Sequence, residues 1–569
     1  MIRAGLQFDT KKIEGALLGA ALGDALGWPH EDRARRASTL SEYGLNFEAW
    51  TKRSGGRFQP HEERIEPGSY SDDTQLIIAV ARSRLREGPW WEYLAFVEFP
   101  FWIAYSRGAG GASLRAAKLL ANHILPWEGP TSDKAKYLQA GGNGAAMRVA
   151  AHCVLGYLEK DFRSTATNVM ADSVLTHGHP TGLVGALAYA YALWTAFRRK
   201  GTLEFGQLLE TVRTSSDEWS QIPELSERWP SWEKAVLTQA YRNTWSKSAN
   251  DLSRQLEEAS AGLIAGALDF DDEVLSKIGC FDKKMNGAGT VSAAAAIFLS
   301  SKYAAAPTEG IARAAFARGA DTDTIASMTG AIAGAINGTD WLLQFTRKLQ
   351  DESFLANLAR SLEDRLNGRE LPYPTASVDT RSLLSSLTRG EKSVTLPTGA
   401  KAHVIGDGGV VSKSDKIRAA SWKLEDEFGQ TFIIKQLKKE TNRHSATQVT
   451  LNLDLTTGTP HGKFAGISLF ARNLEESRRF YCEFLGLPAK RDTQTLVALG
   501  DHLVLRQNDL VRAVGEGSIV YVGVDNIETC WNNLRSIKYA NVSSIERRTS
   551  RSSFTCKDPD GRTVEVFQR

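Results

Sequence analysis

The chain has few cysteines and no long apolar run. Its 569 residues include 5 cysteines, which are scattered and lack the spacing of metal ligands. Reduced thiols in a cytoplasmic protein are the natural interpretation. No stretch approaches the roughly 20 consecutive apolar residues that a membrane span needs. The first apolar segment contains Glu14 and Asp24, which a signal peptide would lack. We therefore expect a cytoplasmic protein with no membrane partner.

An excess of charge of one sign is also missing. Lys+Arg 69 and Asp+Glu 66 give a net charge of +3, so no domain carries the basic surplus that neutralises phosphates. A nucleic-acid partner is therefore not indicated, although small basic patches leave it open. At roughly 150 residues per domain, the length predicts three to four hydrophobic cores.

Composition predicts a multidomain chain with divisions at 1–374, 375–460 and 461–569. The first part is rich in Ala, Leu and Gly, and its helical patterns are apolar on nearly every side, which predicts a large all-α domain. The sequence Leu-Pro-Tyr-Pro at 371–374 ends this pattern, and we expect few core contacts to cross it. Short β-branched and aromatic runs then predict a small β-rich middle region.

The last part alternates strand and helix patterns twice. The first round begins at Ile467 and the second at Ile519, and each continues through an amphipathic helix to further strands. This periodicity predicts a C-terminal α+β domain built of repeated βαβββ modules.

Two short acidic clusters stand at predicted helix starts. Residues 71–74 read Ser-Asp-Asp-Thr and residues 321–324 read Asp-Thr-Asp-Thr. Neighbouring side chains on a helix project about 100° apart, so each pair of carboxylates suits two ions side by side better than one. Oxygen-only ligands favour Mg²⁺, with Mn²⁺ or Ca²⁺ as alternatives, over Zn²⁺. Helix capping is the competing interpretation, because Ser, Asp and Thr are preferred N-cap residues.

Six segments, in chain order, resemble the motifs of the ADP-ribosylglycohydrolase family. They lie at 13–31, 68–74, 141–148, 176–180, 287–291 and 319–326, within residues 10–345. The family includes the activating glycohydrolase of dinitrogenase reductase and the ADP-ribosyl-arginine and ADP-ribosyl-serine hydrolases. The resemblance implies an all-α catalytic domain with two Mg²⁺ ions, or Mn²⁺ in their place. The implied metal ligands are Ser71, Asp72, Asp73, Asp321, Asp323 and Thr324.

The same resemblance implies roles for the residues around these ligands. Glu31, Asp72 and Asp323 are the implied catalytic residues. Glu31 matches an acidic residue that closes over the reacting ribose, and we expect it to orient the sugar. A general acid or general base role for Glu31 is the alternative. A water bound to the ions near Asp72 or Asp323 is the expected nucleophile. The implied substrate-binding residues are Gly142, Asn143, Gly144, His177 and Gly289, and backbone N–H groups between glycines can approach a diphosphate closely.

The activity that this resemblance implies is Mg²⁺-dependent hydrolysis of an ADP-ribosyl glycosidic bond. An N- or O-linked group would be released as ADP-ribose through an oxocarbenium-like transition state, reversing ADP-ribosylation. The implied partners are an ADP-ribosylated protein or a small ADP-ribosyl substrate. Two alternatives stay open: a non-catalytic protein that binds ADP-ribose or a related nucleotide signal, and a hydrolase of a free metabolite such as O-acetyl-ADP-ribose.

The C-terminal domain resembles the glyoxalase/bleomycin-resistance (vicinal oxygen chelate) superfamily. Residues 473–481, 484–487 and 558–566 carry this resemblance. The four positions that hold a metal in the superfamily match Gly466, Val504, Ser518 and Glu565 here, and only the last is a ligand type. We therefore expect a non-catalytic domain that binds a ligand, a partner or a second copy of the chain, in the last case forming a dimer.

Overall fold

A computed structural model gives the fold of two compact units, Met1–His444 and Ser445–Arg569. The structure describes the following residues: 9–31, 46–56, 59–201, 203–265, 271–342, 345, 348–369, 374, 378–414, 417–439, 467–471, 473–485, 487, 489–493, 496–499, 503–507, 519–524, 526–535, 541–547, 552–559 and 563–568.

Helices dominate the first unit. Its described α-helices are α1 Thr10–Gly27, α2 Asp72–Leu85, α3 Trp90–Tyr93, α4 Phe99–Tyr105, α5 Gly111–Leu120, α6 Thr131–Leu138, α7 Ala150–Leu155, α8 Arg163–Ser173, α9 Pro180–Arg198, α10 Gln207–Thr214, α11 Ser216–Trp219, α12 Pro230–Val236, α13 Gln239–Ala265, α14 Asp271–Ile278, α15 Gly289–Lys302, α16 Pro307–Ala315, α17 Thr322–Asn337, α18 Glu352–Leu366 and α19 Thr380–Arg389. Short 3₁₀ segments lie at Trp28–His30 and Asn143–Arg148, and a π-helical turn lies at Leu94–Glu98.

The closest helix pair in this unit is α1 with α17. Glycines at every fourth position of α1 face α17, so that the two backbones touch. A Cβ added at Gly23 would lie 2.0 Å from the carbonyl oxygen of Ala326, and one at Gly27 would lie 2.2 Å from that of Thr322. This contact fixes the start of α17, which carries the second acidic cluster, against the end of α1.

Seven strands in the described part of the first unit form two sheets. The strands are β1 Trp50–Ser54, β2 His61–Ile65, β3 Ser393–Thr395, β4 Lys401–Gly406, β5 Val410–Ser412, β6 Ile417–Asp426 and β7 Thr431–Lys439. The middle region forms an antiparallel sheet in the order β3-β4-β6-β7, and its strand β5 joins the hairpin of β1 and β2 in the order β1-β2-β5. In that second sheet Glu63 of β2 is opposite Val410 of β5.

The middle region shares the apolar core of the helical domain, so the expectation of few core contacts across residues 371–374 is wrong, whereas the predicted domain bounds stay a prediction. Leu424 and Phe432 of the sheet are buried in the same apolar cluster as the helices. The Phe432 ring lies 5.4 Å from that of Phe101 and 5.0 Å from that of Tyr105 on α4. The break in composition at 371–374 therefore marks a change of secondary structure and not the edge of a core.

The second unit has the predicted repeat. Its elements are β8 Ile467–Ala471, α20 Leu474–Arg478, a π-helical turn Arg479–Phe484, β9 Ala489–Thr493, β10 Leu496–Leu499, β11 Leu503–Gln507, β12 Ile519–Val524, α21 Ile527–Arg535, β13 Glu546–Arg547, β14 Ser552–Lys557 and β15 Thr563–Gln568. The two sheets have equivalent strand orders, β8-β11-β10-β9 and β12-β15-β14-β13, and in each the first strand is parallel to the last. The prediction of two βαβββ modules is confirmed.

The four predicted metal positions of this unit are only partly described. Val504 lies on β11 and Glu565 on β15, whereas Gly466 and Ser518 lie outside the described residues. The predicted loss of the metal site in this domain therefore stays a prediction. Within the described part of the chain, no helix is long and apolar enough to cross a bilayer.

Candidate active site

The first acidic cluster is built around a buried carboxylate of α1. Asp24 is fully buried, and it accepts hydrogen bonds from the backbone N–H of Ser71 (2.9 Å) and from both the N–H (3.0 Å) and the hydroxyl (2.6 Å) of Thr74. These are donors at the start of α2, which have no partner within the helix. Asp24 therefore sets the position of the helix that carries Asp72 and Asp73. No structural role was predicted for Asp24, although an acidic residue inside an apolar helix was a signal.

Ser71 acts as the N-cap of α2. Its hydroxyl oxygen accepts a hydrogen bond from the N–H of Asp73 at 3.3 Å, so the capping interpretation applies to this residue. The carboxylates of the two following residues are not used in this way, and both are buried. The cap thus leaves the acidic groups of the cluster available for other partners.

The carboxylate of Asp73 connects the two acidic clusters. Its Oδ2 accepts a hydrogen bond from the hydroxyl of Thr324 at 3.3 Å, whereas its buried Oδ1 finds no hydrogen-bond partner among the described residues. Burial, and then the charge of Asp24, raises the pKa of Asp73 well above its usual value. Burial followed by the charges of Asp24 and Glu31 does the same to the pKa of Asp72. A nearby cation would stabilise the ionised form of both carboxylates.

The second cluster begins α17. Asp321 occupies the N-cap position, but its Oδ2 accepts a hydrogen bond from the side-chain amide of Asn143 at 3.0 Å. Asp323, the second residue of α17, is 4% exposed. Burial, and then the charges of Glu31 and Asp321, raises the pKa of Asp323 well above its usual value. Thr322 points the other way and donates to the carbonyl oxygen of Gly27 at 2.9 Å.

Glu31 completes an acidic group with this second cluster. One carboxylate oxygen each from Glu31, Asp321 and Asp323 lies within 4.8 Å of the others, and this is the one such potential metal-holding group in the described part of the chain. The donors are all oxygens, which suits a hard divalent cation such as Mg²⁺. The unpartnered Oδ1 of Asp73 and the raised pKa values of its neighbours fit the same kind of ion.

The glycine-rich segment lies beside the acidic groups. Asn143 is fixed by its N–H, which donates to the carbonyl oxygen of Gly287 at 3.0 Å, and by its side-chain amide, which donates to Ser292 at 2.9 Å. A Cβ added at Gly144 would lie 3.0 Å from Cε1 of His177, and one at Gly142 would lie 3.6 Å from its Nε2. The glycines therefore bring the backbone against the imidazole.

His177 is a neutral group in this position. It is 2% exposed, and its Nδ1 lies 2.8 Å from the hydroxyl oxygen of Thr176. Burial, and then the charge of Arg148, lowers the pKa of His177 to about 3. At neutral pH the ring can therefore exchange hydrogen bonds with a ligand but carries no charge.

Arg148 connects the glycine-rich segment to Asp172. The fully buried guanidinium donates to Asp172 at 2.9 Å and to the carbonyl oxygen of Gly144 at 2.5 Å. Gly289 lies at the first position of α15, where an added Cβ would lie 2.8 Å from Cα of Gly182. The structure thus explains this glycine by helix packing, and its predicted contact with substrate stays a prediction.

The residues of the chain match a known family over most of the first unit. A sequence model described as ADP-ribosylglycohydrolase matches residues 7–372, and the chain belongs to this family of glycosyl hydrolases. A second model, described as the Glyoxalase/Bleomycin resistance protein/Dioxygenase superfamily, matches residues 463–566. Both predicted resemblances are confirmed.

Two relatives and one solved structure show the range of similarity. ADP-ribosyl-[dinitrogen reductase] glycohydrolase of Rhodospirillum rubrum is 32% identical over 169 residues, which is 29% of this chain and 51% of that protein. The match therefore spans about half the length of that relative. ADP-ribosylhydrolase ARH3 of Homo sapiens is 26% identical over 349 residues, 59% of this chain and 88% of that protein. The structure titled ADP-ribosylglycohydrolase-related protein complex has 21% identity and a TM-score of 0.38, over 63% of this chain and 98% of its own.

Proposed function

We propose that the protein is a Mg²⁺-dependent hydrolase that cleaves the N- or O-glycosidic bond of an ADP-ribosyl group and releases ADP-ribose. The observation that carries this proposal is the convergence of two acidic helix starts that are far apart in the chain. Thr324 donates to Asp73, and Asn143 of the glycine-rich segment donates to Asp321. Family membership supplies the class of substrate.

Six side chains would hold two Mg²⁺ ions, or Mn²⁺ in their place, in this proposal. They are Ser71, Asp72, Asp73, Asp321, Asp323 and Thr324. The chemistry that Mg²⁺ supplies when bound is polarisation of ribose hydroxyls and of an attacking water. Asp73 and Asp323 are buried, and several carboxylates removed from water need a nearby cation for stability. Their burial therefore supports the binding of positively charged metal ions at this site.

Residues of the chain itself would bind and orient the substrate. The Glu31 side chain is 37% exposed, so it can accept hydrogen bonds from the ribose hydroxyls of a bound substrate. Negative charge on Asp72 and Asp323 would stabilise the positive charge that develops on the ribose in an oxocarbenium-like transition state. The neutral imidazole of His177 and the N–H groups of 142–144 would contact the rest of the nucleotide, where glycines permit close approach.

The proposal is tested by a panel of substrates. ADP-ribosyl-arginine, ADP-ribosyl-serine, ADP-ribosylated nucleic acid and O-acetyl-ADP-ribose are each incubated with EDTA and then with excess Mg²⁺ or Mn²⁺. Release of ADP-ribose is followed by mass spectrometry, and ¹⁸O-labelled water shows whether the new hydroxyl comes from solvent. We expect turnover of at least one substrate, lost in EDTA and restored by the cation.

Two results would contradict the proposal. Full turnover in EDTA would remove the metal from the mechanism. Tight binding of ADP-ribose with no turnover of any substrate would favour the alternative of a non-catalytic binding protein. Asp340→Asn serves as the control variant throughout, because Asp340 is an exposed carboxylate that pairs with Lys11.

A further inference from the structure

Lys52 places a positive charge next to Glu31. It lies on β1, where the inward positions alternate with exposed ones, and its Nζ is 3.8 Å from Oε2 of Glu31. The ammonium group lies 5.2 Å from the ring centre of Trp28 and 5.9 Å from that of Trp50. The two indoles meet edge to face at 85°, so they confine the ammonium on two sides by cation–π contacts.

The charge of Lys52 also reaches the acidic clusters. Burial is the main influence on Asp72 and raises its pKa, and the charges of Asp24 and Glu31 act in the same direction, whereas Lys52 acts in the opposite one. Lys52 thus pairs with Glu31 and also favours the charged form of Asp72. Its side chain is 22% exposed, so a change of charge here would be only partly screened by water.

A second carboxylate near Lys52, that of Glu63, already has other residues as its cationic and hydrogen-bonding partners. Glu63 is opposite Lys52 in the pairing of β1 with β2, and it is 1% exposed. It accepts a hydrogen bond from Lys435 at 2.5 Å and lies 3.7 Å from Arg107 and 3.2 Å from His61. The charge of Lys52 is therefore directed to Glu31, the one carboxylate with which the described structure records an ion pair for it.

The middle region holds the hairpin that presents Lys52. Strand β5 pairs with β2, and Lys435 of β7 bonds Glu63 behind the hairpin. The first residue of β7 is also linked to the first acidic motif through Asp351, because the N–H of Thr431 and the hydroxyl of Tyr70 both donate to that carboxylate, at 3.1 Å and 2.6 Å. Strand β7 thus bonds Glu63 behind the hairpin directly, and it is linked through Asp351 to the residue before Ser71.

We propose that Lys52 is a positioning residue that holds the Glu31 carboxylate beside Asp321 and Asp323, and that the middle region keeps Lys52 in place. This inference rests on the proposed function, since Glu31 acts there on the ribose. It predicts that Lys52 affects turnover through Glu31, and that its charge opposes the binding of a divalent cation at the adjacent carboxylates.

The test compares Lys52→Met and Lys52→Arg with the control Arg53→Met. Arg53 is the next residue of the same strand, but its side chain is 87% exposed and lies near Glu62, away from the site. We expect Lys52→Met to lower kcat about 10- to 100-fold with a much smaller change in KM, because Glu31 loses its orientation. Lys52→Arg should recover part of the loss, and Arg53→Met should match the parent protein.

Two further measurements separate positioning from a general structural role. In a Glu31→Gln background, Lys52→Met should cause no further loss, because the two residues act as one unit. Calorimetric titration with Mg²⁺ and Mn²⁺ should show about 2- to 10-fold tighter binding in Lys52→Met, since a repelling charge is removed. A merely structural defect would weaken cation binding instead. If Lys52→Met is not stably folded, Lys52→Gln replaces it.

The outcomes are distinct from those of the proposed function. Equal kcat in parent and Lys52→Met, additive losses with Glu31→Gln, or weaker cation binding would each overturn the inference. If the parent protein hydrolyses no ADP-ribosyl substrate, the proposed function fails, but the cation titration still decides whether Lys52 faces the acidic residues. Tighter binding in Lys52→Met with unchanged binding in Arg53→Met would support that placement, and equal binding in both would overturn it.

Discussion

Thr324 donates its hydroxyl hydrogen to Asp73 across 3.3 Å, although 251 positions separate the two residues in the chain. This contact links the starts of α2 and α17 directly. It leaves the other oxygen of Asp73 buried and without a hydrogen-bond partner in the described structure. A buried carboxylate in this state lowers the free energy of unfolding unless a cation binds. We therefore expect the site to destabilise the metal-free protein and to be stabilised by a bound ion.

Asp73→Asn should therefore stabilise the metal-free protein and inactivate it. The amide oxygen can still accept from Thr324, while the buried charge disappears. We expect the metal-free Tm at neutral pH to rise by about 2–4 °C, for a gain near 1 kcal/mol. The increase in Tm that Mg²⁺ causes in the parent should be lost, and turnover should fall at least about 100-fold. A lower metal-free Tm in this variant would contradict the account of Asp73 as an uncompensated buried charge.

Asp323→Ala tests the other side of the site. This carboxylate is 4% exposed and belongs to the group formed with Glu31 and Asp321. We expect the variant to keep its helical circular dichroism, to bind at least one fewer Mg²⁺ in a calorimetric titration, and to lose turnover. Near-parental activity together with parental metal content would show that the binuclear site is wrong.

The raised pKa values predict a direction for the effect of pH. Burial raises the pKa of Asp72, Asp73 and Asp323, so a cation competes with protons for these groups. Affinity for Mg²⁺ should therefore fall as the pH falls through the range above the usual carboxyl pKa of about 4. Calorimetry in buffers of different ionisation enthalpy should show net proton release on binding.

The stability of the metal-free protein should change in the opposite direction. A carboxyl whose pKa is raised by folding binds more protons in the folded state than in the unfolded state, so folding becomes more favourable as the pH falls. The metal-free Tm should rise over the same interval, while the gain in Tm on adding Mg²⁺ shrinks. A metal-free Tm that falls steadily over this interval would contradict the raised pKa values.

Local patterns predicted the acidic motifs because helix starts are local events. Both clusters stand at the predicted positions, since Ser71 and Asp321 directly precede helices. The role of Asp24 escaped prediction because its partners at Ser71 and Thr74 are 47 and 50 positions away, and only the packing of α1 brings them together. The role of Lys52 was missed for a similar reason, because the sequence of a charged strand does not indicate which carboxylate its lysine will pair with in the fold.

Strand pairing explains why the β module repeat was predicted and the shared core on both sides of residue 374 was not. Within β8 to β11 and β12 to β15, every pair joins two strands of the same module, and the repeated pattern along the chain reveals the modules. Strand β5 instead pairs with β2, at the opposite end of the first unit. No composition shift at 374 could show that the following strands complete an earlier core.

Gly27→Ala should disturb the second acidic cluster by a steric effect. A Cβ at this position would lie 2.2 Å from the carbonyl oxygen of Thr322 and 2.7 Å from Cα of Asp323. We expect the free energy of unfolding to fall by at least about 2 kcal/mol and turnover to fall with it. Gly110→Ala is the matched control, because nothing lies within 4 Å of its added Cβ. Equal stability in the two variants would contradict the close approach of α1 and α17.

Truncation tests the predicted division of the chain at 374. Chains ending at 374 and at 444 differ only by the middle region, whose Leu424 and Phe432 fill the core of the helical domain and whose β5 extends the hairpin of β1 and β2. We expect residues 1–444 to unfold cooperatively and to hydrolyse a small ADP-ribosyl substrate. Residues 1–374 should aggregate or lose cooperative unfolding, because the removed side chains expose apolar surface.

The same truncations assign a role to the second unit. It has its own apolar core, so its removal at 444 should leave hydrolysis of the small substrate within about twofold of the full chain, because few contacts are expected to cross such a boundary. Activity on an ADP-ribosylated protein, or the molecular mass measured by light scattering, should change if this unit binds the larger substrate or a second copy. Loss of activity on every small substrate by a folded 1–444 chain would instead show that the second unit contributes to the active site.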